Sequence, residues 1–179
     1  YDYFLPSANF SYEIQDDLII RAAASQTITR PNISQMGVDV AWHISVPPFR
    51  KELKGNPDLQ PTEATSYDLS LEWYGTEGTS ASAAVFIKDI KNHVIIGNFS
   101  DTVLGEQVIV QGPINGGTAE INGLELAAQQ LFENGLGLLV NYTYVDSKAK
   151  SVIDGVQVKS DFEGISDTTY NISGFYEDG

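Results

Sequence analysis

The sequence predicts an all-β chain, an antiparallel up-and-down sheet of about seven strands built from hairpins. Three observations carry this reading. Several segments alternate apolar and polar residues with period two, as side chains on a strand must. Tight polar turns take turns with much longer connections of roughly 17 to 30 residues, where compact domains normally use short ones. Aromatic residues fall near the ends of the apolar faces, at Trp73, Phe132, Tyr144 and Tyr176.

The first hairpin joins an N-terminal strand, with Phe10, Tyr12 and Ile14 on one face, to a second strand from Leu18 to about Thr29. Its turn is Gln15-Asp16-Asp17, residues whose short side chains suit a tight bend. Residues 30–61 follow as a long irregular connection holding five of the seven prolines. Pro57 and Pro61 cannot sit in a central ladder, so the next strand starts near Thr62. That strand has the sharpest faces of the chain. Tyr67, Leu69, Leu71 and Trp73 alternate with Ser66, Asp68, Ser70 and Glu72.

A turn at Gly75-Thr76-Glu77-Gly78-Thr79 leads to a return strand over residues 80 to about 94, where Phe86 interrupts an otherwise polar face. Residues 95–117, with Gly97, Gly105, Gly112-Pro113 and Asn115-Gly116-Gly117, read as a second long connection. The third hairpin runs over residues 118–132 and 136–150. Its Asn134-Gly135 is a strong turn signal. A third connection spans about residues 151–167, and a last strand begins at Thr168.

Alternating short and long connections with dyad strands fit a segment of a transmembrane β-barrel, short periplasmic turns at one end and long extracellular loops at the other. A soluble all-β glycan-binding or adhesin-like module is the competing reading. No apolar run approaches the roughly 18 residues of a membrane-spanning helix.

Composition narrows the function. The net charge of −14 argues against nucleic acid as a partner. With no cysteine there is no disulfide framework, thiolate metal site or cysteine nucleophile. Nothing reads as an enzyme, and neither a cofactor nor a metal is expected. His43 and His93 stand apart from any ligand spacing, and Asp68 with Glu72 on one strand face reads as a solvated pair of carboxylates rather than an acid/base couple. Arg21 and Glu125 also fall on polar strand faces. Facing water in a lumen they are comfortable, whereas an arginine at mid-depth in lipid costs about 2–4 kcal/mol. In the first long connection, Trp42, Phe49, Arg50 and Lys51 combine flat apolar surface with positive charge. Sugars stack on such rings and anionic chelates favour such cations; packing of the loop on its neighbours is the alternative role for Trp42.

The segment GNPDLQPTEATSYDLSLEWY resembles the place in TonB-dependent outer-membrane receptors where an extracellular loop returns into the barrel with a GNP-x-L-x-P-E-like motif. LPSANFSYEI and DLIIRAAASQTITRP upstream, and AVFIKDIKNHV, GTAEINGLELAAQQLF, LGLLVNYTYVDSK and YNISGFYED downstream, match in the same order. The LPS-x-N and S-x-T-x-x-RP elements are most similar to the carbohydrate-uptake subgroup. The resemblance implies that residues 1–179 are a C-terminal portion of a barrel of about 22 strands, without its plug domain. It implies an energised importer of a scarce solute, a carbohydrate or a siderophore-type chelate, in the outer membrane of a Gram-negative bacterium. The implied partners are that solute, outer-membrane lipid, the receptor's own plug, and TonB acting through an N-terminal part not in this sequence. Arg21, Asp68, Glu72 and Glu125 would then face the lumen, and Trp42, Phe49, Arg50 and Lys51 would serve ligand capture.

Overall fold

A computed structural model describes residues 2–37, 40–42, 52–76, 78–103, 106–153 and 156–177. Seven long strands form its frame: β1 (Ser7–Gln15), β2 (Leu18–Thr29), β5 (Thr62–Tyr74), β6 (Ser80–Val103), β7 (Glu106–Leu131), β8 (Leu136–Ile153) and β10 (Thr168–Tyr176). Three short strands complete one ten-stranded sheet: β3 (Val40–Trp42), β4 (Glu52–Lys54) and β9 (Val156–Ser160). The single helix among the described residues, α1 (Ile33–Met36), is one turn long. Each long strand pairs antiparallel with the next, in chain order from β1 to β10.

The tight ends follow from local chemistry. Asp16 and Asp17 close a two-residue turn, Asp17 at φ 66°, a region aspartate tolerates better than most residues. The two other short turns share one design. In each, three residues lie between the two that close the loop, and the last of the three is a glycine at positive φ, Gly78 at 76° and Gly135 at 80°. Phe132 N donates to Leu136 O at 2.8 Å and Gly75 N to Thr79 O at 3.0 Å, closing the two loops alike. This is a turn followed by a left-handed residue, a common hairpin solution that requires glycine there.

Three of the expected long connections are folded differently from their sequence reading. Residues 95–117 are not a loop: β6 and β7 run on through them as one long hairpin, paired from His93↔Gly117 to Val103↔Glu106. Residues 151–167 hold the end of β8, all of β9, and a short excursion at residues 161–167 before β10. Residues 30–61 contain α1, β3 and β4, and β4 joins β7 in parallel, the one departure from an up-and-down sheet.

Directly paired residues share a face, so registers sort the sheet into two surfaces. One row reads Tyr12, Ile20, Leu71, Ala83, Leu126, Tyr142, Tyr170; its neighbour across the pleat reads Ser11, Arg21, Ser70, Ala84, Glu125, Thr143, Thr169. The apolar face is open, with Tyr170 75% and Ile172 67% exposed. Its apolar band lies over residues 67–73 on β5 but reaches Leu136 and Tyr176 on β8 and β10, four residues past Val140 and Ile172, the positions in register with Trp73. Such a slant is what strands tilted against a common level produce.

Burial is concentrated at the long-hairpin end. Leu59 and Val110 are the largest fully buried side chains described. The turn before β5 is docked there by Asn115, whose Nδ2 donates to Gln60 O at 2.9 Å and Asn92 O at 2.8 Å while its Oδ1 accepts from Gln60 N at 2.7 Å. Asn56 Nδ2 donates to Pro113 O at 3.1 Å. A second cluster, Ile90, Ala119, Ile121 and Val145, lies on the otherwise polar face and is covered by Phe162 and Ile165 of the 161–167 excursion. Phe162 N bonds Ser147 Oγ at 3.2 Å and Val145 N bonds Asp167 O at 2.8 Å, holding the excursion down.

Candidate functional site: a polar wall and its loop-bearing rim

The polar face near the short turns carries a cluster from three strands, one side chain each from β1 and β2 and three from β5. Arg21 on β2 lies beside Ser70 of β5 and Ser11 of β1 in the same row, with Glu72 one step along β5. Its Nε donates to both carboxylate oxygens of Glu72 at 3.1 Å, and its NH1 donates to Ser11 Oγ at 3.0 Å. Glu72 also accepts from Ser70 Oγ at 3.3 Å and from Tyr74 OH at 3.0 Å. Both charged side chains keep contact with water, Arg21 48% and Glu72 21% exposed. A pair in that setting is worth under about 1 kcal/mol, so it orders the wall more than it stabilises it.

Beside Glu72 the face dips into a depression of about 360 Å³, lined among others by Ser82, Ala84, Ala127, Gln129 and Asn141. Its floor is low because Ser and Ala fill the central positions of β6 and β7. Two phenyl rings keep the rest of the wall low too. Phe86 lies over Gly123 and Phe175 over Gly137, each directly opposite in the ladder, and a Cβ at either glycine would run into the ring. Phe86, whose place on a polar face the sequence left unexplained, thus covers a glycine and joins the buried cluster.

The sequence-derived residues divide into those the structure joins and those it does not. Arg21 and Glu72 meet. Asp68 and Glu125 share their face, but Glu125 stands three strands from Arg21 in the same row, about 14 Å at the usual strand spacing. Trp42 is the last residue of β3, with Glu52 of β4 as its register partner. Phe49, Arg50 and Lys51 lie outside the described residues, as does His43. His93 packs its ring 4.9 Å from that of Phe162, a structural contact at the rim of the excursion.

Sequence reasoning did not find Ser11, Ser70 and Tyr74 as partners of the ion pair; the tight Asp16-Asp17 turn sets Ser11 beside Arg21, while Ser70 and Tyr74 come with the pairing of β5 to β2. Nor did it find the excursion over the polar face. The available signal was the string of apolar residues at polar-face positions, Phe86, Ile90, Ile121 and Val145, which only makes sense if something covers them.

Against known proteins, the family described as TonB dependent receptor-like, beta-barrel matches residues 1–179. No curated relative matches the sequence. Among solved structures, a mutant of the ferric enterobactin receptor from Pseudomonas aeruginosa superposes with a TM-score of 0.65 at 19% identity, over 82% of this chain and 25% of that one. The siderophore receptor PirA from Pseudomonas aeruginosa gives 0.64 at 20% identity, over 95% and 34%. PirA from Acinetobacter baumannii gives 0.59 at 19%, over 87% and 27%. At these identities the likeness is one of fold, and this chain spans about a quarter to a third of the length of those proteins.

Proposed function

Because this chain belongs to the TonB-dependent receptor-like β-barrel family, whose members are outer-membrane transporters, we propose that residues 1–179 supply wall and rim to an outer-membrane importer energised through TonB. The chain contributes surface and loops to transport, and no bond-making chemistry. The rest of the barrel, the plug inside it and the segment engaging TonB come from elsewhere in the protein.

One observation carries the reading: among the described residues, nothing covers the apolar face of the sheet. The band of about 20 Å by 29 Å, from strand rise and spacing, covers roughly 600 Å² in plan. That is the upper end of the largest apolar patch a typical soluble monomer leaves open, about 300–600 Å², and a plan area leaves out the sides of residues that stand up from the sheet. Hydrocarbon accounts for it, and the aromatic side chains at its two margins, Trp73 and Tyr176 on one side and Tyr67 and Tyr144 on the other, suit the two interfaces. The opposite face then meets the lumen, with Arg21, Asp68, Glu72 and Glu125 in water or against the plug. This orientation favours the barrel over a soluble glycan-binding module.

The solute enters from the long-hairpin end, where Trp42, Phe49, Arg50 and Lys51 would contact it. A siderophore-type chelate gains support from the structural neighbours, one of which is a ferric enterobactin receptor in complex with enterobactin; an oligosaccharide fits the same aromatic surface. The test uses the full-length receptor. Substituting both Trp42 and Phe49 by Ala is expected to weaken solute binding about 10-fold or more, with the barrel still folded, and deleting TonB is expected to abolish uptake while leaving binding intact. Unchanged affinity in the double variant would remove those residues from the site.

A further inference from the structure

The depression beside Glu72 lies far from the loop-bearing rim. Asn141, on its β8 side, stands ten residues before Ser151, about 33 Å along the strand from the long-hairpin end. Its plan follows from two register rows. Glu72, Ser82, Ala127 and Asn141 stand side by side from β5 to β8, and Ser70, Ala84, Glu125 and Thr143 form the next row. Ser82, Ala84 and Ala127 make a floor of short side chains, so the face is hollowed into a trough. It is three strand spacings wide, about 14 Å. Its volume of about 360 Å³ is at the lower end of pockets that hold small ligands, about 300–1,000 Å³.

The polar atoms of the trough fall into two groups. On the β5 side the bonds are already made: Glu72 accepts from Arg21, Ser70 and Tyr74, so its charge is settled within the wall. On the other side, Ser82, Gln129 and Asn141 form no side-chain hydrogen bond among the described residues. What stays open is a hydroxyl and two carboxamides, donors and acceptors without charge. Glu125 flanks them, two residues from Ala127 on β7 and about 7 Å away, and no cation pairs with it among the described residues. An anion arriving here meets that carboxylate with nothing to balance it. An uncharged solute meets only hydrogen-bonding groups it can match.

We propose that this trough is a transit subsite. In it an uncharged solute rich in hydroxyl or amide groups rests on the wall between capture at the rim and release on the short-turn side. The subsite deepens the importer reading and rests on it, with this face toward the lumen. Of the two solute classes named above, it favours the oligosaccharide over an anionic chelate. Neutral hydrogen bonds exchanged against water hold a solute loosely, so it leaves as readily as it arrives.

The test uses the full-length receptor in detergent micelles, in the S82C variant, with the reaction of the new thiol with a maleimide followed by peptide mass spectrometry. Residues 1–179 contain no native cysteine to compete. Raffinose, an uncharged trisaccharide, is expected to slow the modification in a saturable manner, about threefold at twice its dissociation constant. Citrate, an anion, is expected to leave the rate unchanged. So is raffinose acting on the S25C variant, because Ser25 lies on the same face about 22 Å away. Adding Q129A/N141A to S82C is expected to remove the protection while the receptor stays folded. Three results would overturn the subsite and leave the barrel standing. They are no protection by raffinose, equal protection by citrate, or a thiol at position 82 that never reacts in the folded receptor, which makes the trough a socket for the plug. A receptor that is soluble and monomeric without detergent would overturn the lumen orientation itself, and the subsite with it.

Discussion

Replacing Asn115 by alanine should release the turn before β5 from the long hairpin without unfolding the sheet. Asn115 makes three hydrogen bonds, two to the backbone of Gln60 and one to Asn92 O, all between 2.7 and 2.9 Å. Each neutral bond contributes about 0.5–1.5 kcal/mol net, and the part-buried site lets water replace some of what is lost. The expected cost is therefore about 2 kcal/mol, felt by residues 55–61 and not by the β5–β6 ladder. Read as amide hydrogen exchange in the full-length receptor, that is about 30-fold faster exchange at Gln60 and the adjoining turn. Substitution by aspartate is informative in a different way. It preserves the acceptor for Gln60 N but sets a carboxylate against two carbonyl oxygens, so it should be at least as disruptive as alanine. If Gln60 exchanged at its original rate in the alanine variant, or if acceleration spread evenly along β5 and β6, the asparagine would not be the clamp described.

Three further outcomes follow from the same geometry. Leu59→Ala, at a fully buried side chain, is expected to cost about 2–5 kcal/mol locally, measured as loss of protease resistance in the segment before β5. Gly123→Ala forces a methyl into the Phe86 ring and should lower thermal stability by about 1–3 kcal/mol, with the added substitution Phe86→Ala recovering part of the loss through removal of the clash. A double-mutant cycle over Arg21→Gln and Glu72→Gln should give a coupling below about 1 kcal/mol in stability, because both side chains remain hydrated; a coupling of several kcal/mol would mean that the pair is desolvated in the assembled barrel.

The seven long strands were legible because one face of each had to be apolar and the other polar, and that period survives without knowledge of partners. Thr62–Tyr74 is the cleanest case, its predicted start set by Pro61 and its end by Gly75. The extension of β6 and β7 was hidden by residues that look like breakers. Gly97 and Gly112 lie opposite each other, and Pro113 pairs with Ile96. At Gly112 a Cβ would collide with the backbone carbonyl of Lys54, so the glycine marks the close approach of another chain segment and not the end of a strand. That meaning depends on contact with residues far away in sequence, which periodicity does not carry. The ion pair was half legible: Arg21 and Glu72 could be assigned a face, but their meeting required the pairing of β2 with β5, strands joined by residues 30–61 with no tight turn to set their register. For Trp42 the sequence offered residue type alone, and its strand, β3, is too short for period two to reveal.

Laid over Gly123 and Gly137, the rings of Phe86 and Phe175 lie flush against the ladder where ordinary phenylalanines would stand up from it. The polar surface at those two points therefore stands lower than upright rings would leave it. A domain nested against such a surface can shift as a rigid piece, breaking small hydrated contacts one at a time instead of lifting bulky side chains out of sockets. Adding Cβ atoms at those two positions would roughen the lining, so friction there becomes a property that two glycines set.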